Sequence, residues 1–207
     1  MIMDDRTRIS NLYQSLAPVY SKIRPLWART FNRKAERYLE QVVLPEALYP
    51  AARVLDLGCG PGTNLARLRR LKLPFARFVG IDISPSMLVR AEFKDIMHRT
   101  YLVGDAYRLP FKAGSFDLVL STWMFSHLLD PISVVEEVLR LLPSGGWLIV
   151  ACFSRSGGYT NWLHATIESA FYMRSCQFAD YETWPGLVDV KTFAGGWNSV
   201  VRLRKDA

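Results

Sequence analysis

Three glycines at alternate positions, Gly58, Gly60 and Gly62, follow the apolar run Val54-Leu55-Asp56-Leu57 and precede a helical stretch that opens with Thr63-Asn64. Glycine permits tight turns and lets backbone approach a ligand with no Cβ in the way. The spacing is G-x-G-x-G, whereas the dinucleotide fingerprint needs its third glycine one position later, where Thr63 stands; a G-x-x-x-x-G-K-[ST] phosphate loop is also missing. NAD and FAD are therefore disfavoured. Asp82 closes the next β-branched run, 26 residues after Asp56. A carboxylate there can accept from both hydroxyls of a ribose, or it can cap the helix that Ser84-Pro85 starts. Joined to the glycine loop, the ligand reading is preferred.

Such residues need a scaffold that brings strand ends together. Runs at 53–57, 78–82, 101–103, 116–120 and 146–150 read as strands, and 63–72, 85–96, 131–142 and 160–176 read as helices. Strand alternating with helix means a parallel sheet covered on both faces. The alternation then breaks: 187–193 and 197–203 are strand-like runs joined by Ala194-Gly195-Gly196, a closing hairpin. Upstream, Ile23, Leu26, Trp27, Thr30, Phe31, Ala35, Tyr38 and Leu39 recur at steps of three and four, one face of a single amphipathic helix. A connector is expected over 45–50. The expected fold is a doubly wound, Rossmann-like α/β sheet of seven strands with the last antiparallel, in a ligand-binding domain over 51–207 preceded by a helical lid over 1–50.

Composition narrows the class. The chain has 207 residues, 50% of them hydrophobic, and a formal net charge of +7. Collagen, mucin and disordered-tail classes are excluded, and a chain this long can bury roughly 70% of its unfolded surface without disulfides or a structural metal. The longest charge-free stretch, 141–154, holds Pro143 and a glycine pair and falls short of the roughly 20 apolar residues of a membrane span. Acids and bases crowd residues 4–8, where an export signal needs an apolar core, so a cytoplasmic setting is expected. Cys59, Cys152 and Cys176 form an odd set with no C-x-x-C pair, which reads as buried thiols in a reducing compartment. His98 and His164 have no partners at ligand spacing, so no metal is expected. The positive balance suits an anionic partner: a phosphate-bearing metabolite, a nucleic acid or an anionic lipid surface.

From 54 to 146 a series of segments resembles the class I S-adenosylmethionine-dependent methyltransferases, in that family's order. Val54–Gly62 is similar to the first motif, Gly80-Ile81-Asp82-Ile83-Ser84 to the second and Gly104-Asp105-Ala106-Tyr107-Arg108-Leu109-Pro110-Phe111 to the adenine-binding segment. Ser115–Leu120 and Leu141–Gly146 are similar to the fourth- and fifth-strand motifs. The resemblance implies S-adenosylmethionine as cofactor and S-adenosylhomocysteine as product. It implies cofactor contacts from Asp56, Gly58, Cys59, Gly60, Gly62, Asp82, Ile83, Asp105, Ala106 and Ser121. Asp56 would attract the ammonium group, Asp82 hold the ribose, and Asp105 with the Ala106 amide read the adenine.

On the acceptor side stand Trp123, Met124 and His127 after the fourth strand. His127 is the candidate base, with an orienting role as the alternative. The segment 12–20 is similar to the tyrosine–alanine–tyrosine entry of quinone-biosynthesis C-methyltransferases and bacterial phospholipid N-methyltransferases, although Gln14 and Ser21 replace the usual acids. Tyr20 is the preferred catalytic or acceptor contact there, with Tyr13 second. Ser121-Thr122-Trp123-Met124 lacks the prolines of the base-modifying motif, which argues against nucleic acid as substrate. Between Lys22 and Arg37, six basic residues face one acid, with Trp27 and Phe31 interleaved. That helix suits peripheral contact with an anionic membrane, or a solvated face. The expected activity is methyl transfer to a small hydrophobic or lipid-like acceptor. The alternatives are a soluble-metabolite N- or O-methyltransferase, a catalytically silent cofactor-binding subunit and a nicotinamide oxidoreductase.

Overall fold

The computed structural model describes residues 5–30, 32–91, 99–155, 168–169 and 175–206. Seven strands form its spine: β1 (Arg53–Leu57), β2 (Arg77–Asp82), β3 (Arg99–Val103), β4 (Leu118–Thr122), β5 (Trp147–Arg155), β7 (Leu187–Phe193) and β8 (Asn198–Arg204). A two-residue strand, β6 (Cys176–Gln177), pairs with the end of β5 beside this path. The order across the sheet is β3-β2-β1-β4-β5-β8-β7. The first five strands are parallel, and β8 inserts antiparallel between β5 and β7. The seven-stranded mixed sheet with its antiparallel last strand is the expected one.

The helices are α1 (Asp5–Arg29), α2 (Arg33–Tyr38), α3 (Leu44–Ala47), α4 (Thr63–Arg70), α5 (Pro85–Leu88), α6 (Pro131–Leu141) and α7 (Phe178–Tyr181). On one face of the sheet Val134, Val135, Val138 and Leu141 of α6 pack with Leu55, Leu57, Val119 and Leu148. On the other, Leu65 and Leu68 of α4 and Ala35, Leu39, Val43 and Leu44 pack with Val54, Leu118, Ile149 and Val200. Within the expected lid, residues 35–48 thus contribute to the core of the sheet, while α1 stands over the strand ends.

Several elements differ from the sequence pattern. The helix read through 23–39 is two: α1 stops at Arg29, where the Thr30 hydroxyl donates back to the Leu26 carbonyl at 2.9 Å, and α2 begins at Arg33. The side chain of Trp27 and all of Phe31 lie outside the described residues. The 45–50 connector is helical as far as Ala47, reached through a single π-helical turn, Leu39–Val43. Pro45 cannot donate to the carbonyl four residues back and its ring crowds that turn, which the wider π geometry relieves. β4 starts two residues later than read, because Asp117 is engaged by Arg53: the amide and Nε of Arg53 donate to Oδ2 at 2.8 and 2.9 Å, and Nη2 to Oδ1 at 2.8 Å. α5 ends at Leu88, where the Arg90 and Ala91 amides close tight three-residue turns. Residues 92–96 of the 85–96 helix, and most of the one read over 160–176, lie outside the described residues, as do His98 and His164. At the end of that second range Cys176 belongs to β6 and not to a helix.

Candidate functional site

The carboxyl ends of β1, β2, β3 and β4 converge beneath α1, and a cavity of about 360 Å³ opens there. Its floor is the loop after β1. Gly58, Gly60 and Gly62 have φ of 70°, 51° and 78°, the left-handed region where a Cβ is strained. A Cβ on Gly58 would stand 2.5 Å from Met124 Cγ, so glycine is what allows that side chain to lie across the loop. A Cβ on Gly60 would meet nothing within 4 Å and would project into open space, as a cradle for a close ligand requires.

Asp82, the last residue of β2, lines the cavity. Its Oδ2 accepts the Gly60 amide and its Oδ1 the Ser84 amide, each at 2.8 Å. The carboxylate therefore both shapes the loop and supports the start of α5, while each oxygen keeps a lone pair for a ligand hydroxyl. Burial pushes its pKa up, against the two amide bonds that stabilise its charge. Ile83, Asp105 and Ala106 line the same wall. The Tyr107 amide donates to Asp105 Oδ1 at 3.0 Å, and the Tyr107 hydroxyl accepts the Leu129 and Asp130 amides at 3.0 and 3.1 Å. Tyr107 so ties the loop after β3 to the loop after β4.

The opposite end is aromatic. Tyr13 and Tyr20 of α1 line the cavity with Trp123, Met124 and His127. Tyr13 Oη and His127 Nε2 are hydrogen-bonded at 2.7 Å across 114 residues of sequence, and the Tyr13 and Tyr20 rings meet edge to face with centroids 5.9 Å apart. Burial raises the pKa of both phenols, Tyr13 well above the usual range, so both are neutral at physiological pH; beside Tyr20, Arg24 acts in the other direction. Trp123 holds φ of 67°, rare for a large side chain, and is fixed in place by its amide on the Ala151 carbonyl at 2.6 Å and its indole Nε1 on Glu36 Oε1 at 3.1 Å.

Asp56, Cys59, Gly62 and Ser121 do not line the cavity. Strand alternation turns Asp56 to the α2–α4 side, where it is fully buried: Asn64 Nδ2 donates to its Oδ1 at 2.8 Å, and Oδ2 has no partner among the described residues. Burial lifts its pKa to about 7. Ser121 Oγ donates to the Leu57 carbonyl at 2.9 Å, and Cys59 packs beneath the loop against Gly80, where a Cβ would stand 2.9 Å from its sulfur. These residues hold the loop from behind. Behind them runs a polar chain that sequence reading missed: Arg67 donates to Asn64, to Glu36 and to Glu40, and Arg24 donates to Glu36 at 3.2 Å. No local motif announces it, because its members come from four separate elements. Tyr107, by contrast, directly follows Asp105-Ala106 and could have been found.

Residues 55–150 match the methyltransferase domain family. A methyltransferase of Synechocystis, itself uncharacterized, is 30% identical over 188 residues, covering 84% of this chain and 86% of that one. A ubiquinone/menaquinone biosynthesis C-methyltransferase from Geobacter is 30% identical over 152 residues, covering 71% of this chain and 63% of its own. Several curated relatives are longer proteins, of which this chain spans between 33% and 64%. A solved S-adenosylmethionine-dependent methyltransferase from Thermotoga maritima superposes with a TM-score of 0.69 at 22% identity, covering 96% of this chain and 100% of that one.

Proposed function

The chain belongs to the class I S-adenosylmethionine-dependent methyltransferases, and from that premise we propose that its cavity binds S-adenosylmethionine and directs the methyl group to a small, apolar or lipid-like acceptor. The observation that carries the reading is Asp82, held by the Gly60 and Ser84 amides at the cavity wall. In that position it accepts from both ribose hydroxyls. Gly58 and Gly60 take the methionine portion, and Ile83, Asp105 and the Ala106 amide take the adenine. Asp56, Cys59, Gly62 and Ser121 serve by fixing the loop. The bound cofactor supplies an electrophilic sulfonium methyl.

The protein's own part is alignment and exclusion of water. Aligning donor and acceptor can supply on the order of 7–11 kcal/mol of the barrier. Tyr13, Tyr20, Trp123 and Met124 give the acceptor end apolar walls with two neutral phenols, a lining that favours a hydrophobic acceptor over a charged metabolite. The Tyr13–His127 pair closes that end from two elements and offers a proton acceptor where the substrate must lose a proton. Peripheral contact with an anionic membrane, through the basic end of α1, is part of the same reading.

The test is an acceptor screen that reads out S-adenosylhomocysteine across quinone precursors, phospholipids and small amines. Turnover with a hydrophobic phenol or lipid is expected. His127→Gln should lower kcat by roughly 10²-fold or more for an acceptor that loses a proton, with cofactor affinity retained. Turnover confined to small polar amines would replace the apolar-acceptor reading with the soluble-metabolite one.

A further inference from the structure

A second cavity, of about 700 Å³, lies between the lid helices and α4 and shares no lining residue with the first. Arg24 and Arg29 of α1, Arg33 and Arg37 of α2, and Arg67 and Arg70 of α4 all line it. Only two acids do so, Glu36 and Glu40, and both are already committed. Glu36 takes Arg24 and Arg67, and Glu40 takes Arg67 and Arg70, the latter at 2.5 Å. Arg29, Arg33 and Arg37 make no ion pair with any described residue.

Guanidinium groups converging from three helices repel one another unless an anion stands between them. The fixed members are pre-organised: the Arg67 side chain is 4% exposed and tied to both glutamates, so it presents its charge without losing much freedom on binding. The uncommitted members sit on exposed helix surface at one-turn spacing, Arg33 and Arg37, facing α4 across the cleft. Thr63, the first residue of α4, adds a hydroxyl to the lining. A single carboxylate would offset one of the three uncommitted charges. A phosphoryl group carries close to two charges at neutral pH and presents several oxygens to forked donors.

We propose that this arginine-lined cleft is a binding site for a phosphoryl group, either of a soluble phosphorylated metabolite or of a phospholipid headgroup. S-adenosylmethionine has no phosphate, so the cofactor is not its occupant, and the proposal does not depend on the methyl-transfer reading. The cleft nevertheless touches the first site through Glu36, whose Oε1 also holds the Trp123 indole.

The probe is inorganic pyrophosphate, titrated calorimetrically into the full chain at fixed ionic strength, with S-adenosylhomocysteine titrated separately. Saturable binding is expected, and the exposed-residue double variant Arg33→Gln with Arg37→Gln should weaken it by roughly tenfold or more while cofactor affinity stays as in the wild type. Vesicles containing phosphatidic acid distinguish the sources. Capture of the protein that pyrophosphate reverses assigns a lipid headgroup, and pyrophosphate binding without capture assigns a soluble ligand; either result supports the site. No saturable binding of pyrophosphate at millimolar concentration, equal binding by the double variant, or displacement by chloride alone would overturn it. Vesicle capture without pyrophosphate binding would also overturn it, since a diffuse surface charge would then suffice.

Discussion

Asp56 and Asp82 stand on neighbouring strands, β1 and β2, and share a face of the sheet, since Asp56 pairs with Gly80, two residues before Asp82; they do different work because they stand at different levels along it. Asp82 ends its strand and looks into the cavity. Asp56 lies one residue before the end of β1 and looks into the packed interface with α4, where burial raises its pKa to about 7, with Asn64 and Arg67 opposing that rise. The unfolded chain releases this proton near pH 4 and the folded chain near 7. Between those values the folded state holds more proton, so its stability falls as pH rises. Asp82 is raised by burial and acts in the same direction. Asp117 and Glu137, lowered by Arg53 and Arg140, place their effects below that window. Urea unfolding at pH 5 and pH 7 should therefore show the wild type losing more stability than Asp56→Asn, by up to about 1.4 kcal/mol per pH unit. Equal slopes would mean that Asp56 ionises as an exposed acid does. The carboxylates themselves were legible in the sequence, as was their placement in the last residues of strands. Which one reaches a ligand was not, since that turns on the stagger between β1 and β2, which no single stretch of sequence displays.

At the scale of elements, α1 and α2 are joined to α4 and to the end of β4 by a buried charge. Glu36 of α2 receives Arg24 from α1, Arg67 from α4 and the Trp123 indole from the segment after β4. Removing one member of such a cluster leaves the others buried without a counter-charge. Glu36→Ala should cost about 3–5 kcal/mol of unfolding free energy by denaturant titration, with Glu36→Gln milder because it can still accept from Trp123. A loss below about 1 kcal/mol, as surface pairs give, would show that α2 is held by its apolar face alone. Local pattern located the strands, α4, α6 and the hairpin within a few residues, because each carries its own periodicity and turn residues. It ran the lid helix straight through residues 30–32 and halted it at Pro45. The apolar steps continue across the first position, and the π-helical turn that accommodates the proline has no signature of its own.

For the whole molecule, the arrangement is two cavities on either side of one polar partition. One faces glycines, Asp82 and aromatic rings; the other faces arginines. The partition is formed by Arg24, Glu36, Arg67 and Trp123, residues drawn from four places in the chain, which is why no sequence window displayed it. The first cavity was readable because its floor is a contiguous motif and its acid, Asp82, ends the next strand. Among the described residues no helix is long and apolar enough to cross a membrane.

The central claim is that the first cavity is built for S-adenosylmethionine around Asp82. Calorimetric titration of S-adenosylhomocysteine and of NADH into the wild type and Asp82→Ala tests it most directly. The account predicts binding of S-adenosylhomocysteine and not NADH by the wild type, weakened by about 1–3 kcal/mol in Asp82→Ala, where two ribose hydroxyls lose their acceptor. Binding of NADH alone, or equal S-adenosylhomocysteine affinity in the two proteins, would contradict it.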